Sequence, residues 1–510
     1  MAILASVIAF VSTNALSLVL ALSICVILYA YFVYPYLRST MIATTGDLPG
    51  PTALPFIAHL HDLIRHKGQI LKQFQEYRKK YGRLYAMFLV GKKPCVVVAD
   101  PEIVKHIMVK EFSSFRDRPS FVMEQPEPFD SMMTIAKYEK WHRIRNTLSP
   151  AFSAHKMKLM VPLINSSCDV LINKLTKVAE SGESFFTHKF HQGLTMDTIL
   201  KTAFGIQSEA QTNYDDPAFK AARKSLSTST TRRVIVTLLF LMPFKNYIFK
   251  AFPSLVIGNF EGLLEMTKMI VEVKKSNLHN EAKDMLDLML SAAANENTSK
   301  KLSDMEVLAQ SLIFLIAGYE TTNITLSFVA YSLATNPEVQ EKLQREIDSV
   351  WTEEDEMPSY DTVHNLPYLD MVISETLRLY PPGFVASREC TQDCVIKGYR
   401  FRKGLPIFID AYSMHHDPEF WTDPERFDPE RFSSEANQSR DPYSYLPFGH
   451  GPHNCVGMRF AQMEMKLALV RVLKKFSYVA TADTPASPPV VVRALLGCDE
   501  NMRLGIKFRD

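Results

Sequence analysis

Cys455 sits in the stretch Phe448-Gly449-His450-Gly451-Pro452-His453-Asn454-Cys455-Val456-Gly457, whose residue types suit a thiolate held against a metal. A ligating sulfur must be deprotonated and screened from water. The ring of Phe448 can shield it. Gly451 and Gly457 permit sharp turns and let backbone approach a flat macrocycle closely. Backbone N–H groups in such a loop can donate to the sulfur and tune its electron donation. The helical run that begins at Met458 brings positive dipole near the thiolate, which favours the anion. A cysteine on its own is usually a small buried hydrophobe. Here aromatic, glycines and cysteine occur together, which argues for a ligand. Zinc suits the segment less well, because His450, His453 and Cys455 lack a fourth ligand and paired spacings.

Other chemistry-bearing residues are less specific alone. Glu375 and Arg378 are three apart on a predicted helix and share a face. Trp141 and Arg145 are four apart and can face one way. Ala317-Gly318-Tyr319-Glu320-Thr321-Thr322 interrupts a long apolar helical pattern with a glycine, an acid and two threonines. The plain account of each is a surface ion pair, a solvated charge or a satisfied polar notch in a core helix.

The elements that must position these residues are mostly helical. Apolar spacing at the helical period covers residues 70–81, 157–178, 186–204, 305–334, 337–350 and 368–379. Strand-like runs are short. Residues 84–90 and 95–98 read as a hairpin around Gly91-Lys92-Lys93-Pro94, and a second set lies at 394–396 and 406–409. The fold class is therefore mainly α with small β portions.

The cysteine loop resembles the haem-binding loop of cytochromes P450, whose pattern is F-x-x-G-x-R-x-C-x-G. The resemblance implies haem b with Cys455 as the axial ligand to iron, a sulfur whose electron density favours cleavage of dioxygen. His453 stands where the family usually has an arginine that contacts a haem propionate. A histidine can still donate a hydrogen bond, with a charge that depends on pH. The segment 317–322 resembles the family's oxygen-activation motif. Thr321 would hydrogen-bond oxygen during activation, and Glu320 would help relay protons. Residues 424–432, Pro-Glu-Arg-Phe-Asp-Pro-Glu-Arg-Phe, resemble the loop that pairs with an E-x-x-R helix. Glu375, Arg378 and Arg431 would then form a structural charged triad. Trp141, Arg145 and Arg388 match propionate-contacting positions. The basic Lys137, Lys140 and Arg143 would dock an acidic redox partner. Phe115, Phe121 and Phe129 fall in the region that roofs the family's pocket, and Ala317, Gly383 and Phe384 would line it. The resemblance runs from Pro49 to the C-terminus. It lies nearest the animal clan of drug- and steroid-oxidising enzymes and thromboxane synthase, through Leu148-Ser149-Pro150-Ala151-Phe152 and Met458-Arg459-Phe460-Ala461.

Composition sets the context. A formal net charge of +2 gives no support to a nucleic-acid partner. Cys25, Cys95, Cys168, Cys390, Cys394, Cys455 and Cys498 show no disulfide-framework spacing, which suits a reducing compartment. Residues 2–37 carry no charged side chain, and 15–33 approach the length of a membrane-spanning helix. The expected organisation is an N-terminal anchor at 1–38, a proline-rich hinge at 39–55 and a haem-thiolate catalytic domain at 56–510. Basic residues follow the anchor, so the body is expected on the cytosolic side of the endoplasmic reticulum membrane. The apolar stretch 234–242 with Phe244, Tyr247, Phe249 and Phe252 reads as a core helix or a surface segment dipping into lipid.

The expected function is a monooxygenase acting on an apolar small molecule, fed by NADPH through a flavoprotein reductase. An isomerase of thromboxane-synthase type is the alternative, and a non-enzymatic haem carrier is a third. Thr321 favours the first, since an isomerase has no need to protonate bound dioxygen. The Glu320–Thr321 pair disfavours the carrier.

Overall fold

A computed structural model of the chain describes residues 45–46, 48–53, 59–66, 68–88, 94–119, 125–213, 215–226, 258–276, 284–294, 301–352 and 357–509, with isolated positions among 20–24 and 239–255. The expected anchor at 1–38 and the apolar stretch 234–252 lie almost wholly outside these residues, as does Phe121.

The helices used below are α1 (Ile70–Tyr81), α2 (Tyr138–Leu148), α3 (Ala154–Ser181), α4 (Thr187–Phe204), α5 (Pro217–Leu226), α6 (Glu261–Ser276), α7 (Met285–Ala294), α8 (Asp304–Thr335), α9 (Pro337–Val350), α10 (Pro367–Leu379) and α11 (Met458–Lys475). Helix α8 is the axis of the body. Its start is fixed by a capping box: the Glu306 N–H donates to Ser303 Oγ at 3.1 Å, and the Ser303 N–H donates to Glu306 Oε2 at 2.9 Å. Neighbours cover α8 on most sides, so its apolar residues run nearly all round it. It is the one described helix long and apolar enough to cross a membrane, and it lies in the protein core. Helix α10 begins at Pro367 and is capped from outside. Glu346 of α9 accepts from the N–H groups of Tyr368 at 2.7 Å and Leu369 at 3.0 Å.

Strands β1 (Leu84–Phe88), β2 (Pro94–Val98), β4 (Val385–Glu389) and β7 (Pro406–Asp410) form one sheet in the order β1-β2-β7-β4. The expected hairpin is present, with Leu84 opposite Val98. Both of its strands are buried on both faces, which is why their apolar residues run on without alternation. A smaller sheet joins β3 (Phe185–Phe186), β9 (Arg503–Phe508) and β8 (Phe476–Val479), and β5 (Cys394–Ile396) pairs with β6 (Tyr399–Phe401). Residues 48–53 do not run free. The Ala86 N–H donates to the Pro49 carbonyl at 2.9 Å, and the His59 ring sits between the Pro51 carbonyl and the Phe88 backbone.

Three buried histidines give a testable pH dependence. His415 hydrogen-bonds the Arg378 carbonyl through Nδ1 and accepts from the Leu446 N–H at Nε2, which fits a neutral ring. Burial pushes His191 and His415 down to about 3 and His416 to about 4. Their folded pKa values lie below the unfolded value, so the stability they contribute is full above about pH 6.5 and is lost as pH falls toward 3–4. Near pH 5 unfolding should take up about one proton per histidine. The thermal midpoint should therefore drop between pH 7 and 5, and a flat profile there would contradict the burial argument.

Candidate active site

The loop 446–457, helix α8, strand β4 and helix α2 enclose a cavity of about 460 Å³, within the range usual for small-molecule sites. Cys455 opens into it. The loop is held by the Cys455 N–H donating to the Phe448 carbonyl at 2.9 Å and the Asn454 N–H to the Gly451 carbonyl at 3.0 Å. Burial lifts the Cys455 thiol above its ordinary range, while the Gly457 N–H and the Arg145 charge pull it back. Those two influences favour the thiolate, as a ligand requires.

Gly457 and Phe448 line the cavity, but Gly451 does not. Its requirement for glycine comes from elsewhere: φ is +70°, and a Cβ there would lie 2.1 Å from the Met108 carbonyl oxygen. The residue serves close backbone packing within the polypeptide and not approach to a macrocycle. Gly318 has a similar second duty, since a Cβ would meet Ile199 Cδ1 of α4 at 2.7 Å.

Above the thiol, Ala317, Gly318 and Thr321 of α8 line the cavity. The helix runs through this segment unbroken, and the Thr321 hydroxyl donates to the Ala317 carbonyl at 2.8 Å. Glu320 does not line the cavity. Its carboxylate turns toward α4, 3.4 Å from Gln192 Nε2 and 3.7 Å from His188 Nε2.

The rim away from α8 is cationic. Arg118, Arg145, Arg388 and His453 all line the cavity. Arg145 clamps the residue before the cysteine, donating to the Asn454 carbonyl at 2.9 Å and to its Oδ1 at 2.8 Å. Burial pushes Arg118 down to about 10, helped by Arg145, and Arg388 to about 9, helped by Arg118. Both remain charged at neutral pH. Arg118 carried no recognisable sequence signal, and it is the main site residue that motif reading missed. His453 is held neutral: burial, then the charges of Arg118 and Arg388, push it down to about 3. Its Nε2 meets the Arg116 carbonyl at 2.7 Å, and its ring centroid is 3.9 Å from that of Trp141. The expectation that its charge would follow pH is therefore corrected, because burial first, and then cations brought from other elements, suppress protonation.

Other expected pocket residues divide. Gly383 lines the cavity and Phe384 does not. Phe115 is fully buried against Phe401 on the sheet side, and Phe129 packs on Phe260 in the core. The expected basic docking face is charge-matched within the chain: Lys137 pairs with Glu389, Lys140 with Asp130 and Arg143 with Glu306.

The triad residues come together behind this site. Arg378 Nε lies 2.7 Å from Glu375 Oε2 with both side chains fully buried, and Arg431 Nε lies 3.3 Å from Glu375 Oε1.

A family model described as cytochrome P450 matches residues 48–493. The chain belongs to the cytochrome P450 family. Cytochrome P450 3A5 of Homo sapiens is 38% identical over 505 residues, covering 97% of this chain and 96% of the relative. Cytochrome P450 3A6 of Oryctolagus cuniculus is 38% identical over 509 residues, covering 97% and 99%. This P450 is a haem-thiolate monooxygenase with the mainly helical fold of its family. The relatives give no support to an isomerase of thromboxane-synthase type.

The residues present fit haem. Arg388 Nε is buried without a hydrogen-bond partner, beside the guanidinium of Arg118. Buried cations and an orphaned N–H donor on one rim, opposite a single thiol, suit an apolar ring with carboxylates on one edge.

Proposed function

We propose that this P450 inserts one atom of dioxygen into bulky apolar molecules of the steroid, lipid or xenobiotic class, using electrons from NADPH delivered by a flavoprotein reductase. The observation that carries the reading is Cys455 opening into the same cavity as Ala317, Gly318 and Thr321. Haem bound to Cys455 supplies the electron-rich iron that activates dioxygen. Arg118, Arg145 and Arg388 would hold its propionates, while the neutral ring of His453 donates its one N–H to the Arg116 carbonyl. Trp141 would hold His453 by packing against its ring. Phe448 would shield the sulfur, and Gly457 would donate its N–H to it. Thr321 would hydrogen-bond the oxygen being activated, and Glu320 would swing from Gln192 to pass a proton. The wall of Met133, Ile313, Phe314 and Leu377 excludes water and favours an apolar substrate.

The same proposal places residues 1–38 as a single membrane anchor in the endoplasmic reticulum, 39–55 as a hinge, and 56–510 on the cytosolic side. The test is turnover of a steroid by the full chain with reductase under ¹⁸O₂. One labelled oxygen in the product, dependent on NADPH, is the expected result. Product without label or without NADPH would reject it.

Thr321→Ala should divert electrons from product to peroxide. Losing one hydrogen bond of ~1 kcal/mol changes a partition ratio by roughly fivefold. The ratio of product to peroxide should fall by about that factor with substrate affinity little changed. Equal coupling in both proteins would remove Thr321 from the oxygen step.

A further inference from the structure

Cys390 and Cys394 bracket the three residues 391–393 that lead from β4 into β5. Cys390 Sγ lies 3.0 Å from the Gln392 carbonyl oxygen and 3.6 Å from that of Phe401, and Phe401 is the strand partner of Cys394, which makes the two thiols neighbours. Cys390 is fully buried and fixed at its backbone. Its N–H donates to the Leu405 carbonyl at 3.0 Å, and its carbonyl accepts from the Gly404 N–H at 2.7 Å. Cys394 is partly exposed and stands opposite Phe401 in the β5–β6 pair. The link between them is tied down as well. The Thr391 N–H donates to the Ser114 carbonyl at 2.8 Å, and Gln392 Nε2 donates to Ser114 Oγ at 2.8 Å. Two thiols not joined by a disulfide are thus held near each other by ordered backbone.

Metal binding does not account for the pair, because no group of three or more His, Cys, Asp or Glu able to hold a metal occurs among the described residues. Neither thiol lines the active-site cavity. One accessible thiol with a buried second thiol behind it is the arrangement in which the first is oxidised and the second resolves it. Burial disfavours the thiolate of Cys394, as do Glu111 and Asp393, against a smaller favouring influence of the neighbouring Cys390 thiol. Oxidation should therefore be slow at neutral pH and still directed to Cys394.

We propose that Cys390 and Cys394 form a dithiol that hydrogen peroxide oxidises to an intramolecular disulfide. The Cys394 thiolate attacks one peroxide oxygen, the O–O bond breaks, and hydroxide leaves and takes up the proton lost from Cys394. The sulfenic acid left on Cys394 is attacked by Cys390. The S–S bond forms, the S–O bond breaks, and water departs with the Cys390 proton. Two thiols lose two electrons and two protons, and one peroxide becomes two waters. The oxidant is a product of the monooxygenase's own side reaction whenever electrons fail to reach substrate. A disulfide closing so short a loop adds little to stability, so mass and thiol reactivity are the readouts.

The test uses the haem-loaded full chain, treated with hydrogen peroxide at a level that leaves its Soret absorbance unchanged. It is then denatured, alkylated and cut with trypsin. Peptide 389–397 carries both cysteines. It should appear unalkylated and two hydrogens lighter, and should take two alkyl groups after reduction. In Cys394→Ser the light peptide should vanish and Cys390 should alkylate fully. In Cys390→Ser, Cys394 should advance to sulfinic acid. A wild-type peptide still doubly alkylated after treatment, or one with sulfinic Cys394 beside a reactive Cys390, would overturn the proposal.

Discussion

Cys455→Ser should lose the far-red Soret band that carbon monoxide gives with reduced thiolate-ligated haem, and its product formation should fall to background. Serine nearly matches cysteine in volume, so the loop held by the Phe448 carbonyl should persist. What changes is the donor atom. The Gly457 N–H and Arg145 favour an anion at this position, but they cannot make a serine hydroxyl ionise as a thiol does. The electron push that drives dioxygen cleavage goes with the sulfur. A carbon monoxide difference spectrum of the reduced variant checks this directly. An unchanged band would move the ligand to another residue and dismantle the reading of the site.

Glu375→Ala should prevent accumulation of folded, haem-retaining protein. Glu375 accepts two hydrogen bonds from Arg378, at 2.7 and 2.8 Å, and one from the Asp428 N–H at 2.9 Å. Both charged side chains are fully buried. Removing the carboxylate strands the Arg378 charge in the core, which costs ~3–5 kcal/mol, a large part of a typical folding stability of ~5–15 kcal/mol. Arg431→Ala should cost less. That side chain sits at the edge of the cluster, and its other bonds go to the Thr422 and Asp423 carbonyls. Haem content per chain and thermal midpoint measure both effects. Normal haem retention by Glu375→Ala would show that Arg378 is not dependent on this partner.

The residues legible in the sequence were those whose chemistry is local. The cysteine loop, the Thr321 helix and the Glu375–Arg378 spacing each fit within one element. Helix periodicity located α1 and α9 to the residue and α8 within a residue at each end, because their apolar residues recur over several turns. What stayed hidden depended on partners distant in the chain. Arg118 shows its role only once Arg145 and Arg388 stand beside it. Gly451 owes its identity to Met108, and His453 its neutrality to burial and to charges on other elements. Aromatic residues announce burial but not which core they fill, so Phe115 and Phe129 were expected in the pocket and lie outside its wall. Helices α5 and α6 and the C-terminal strands were missed because they are short or largely exposed.

The cationic rim bears on how the cell makes this protein. A chain that closes its core around Arg118 and Arg388 buries guanidinium charge, with the Arg388 Nε–H unpartnered, until an anionic group arrives. Cofactor loading would relieve that cost, so the haem-free chain is expected to unfold more readily than the loaded one.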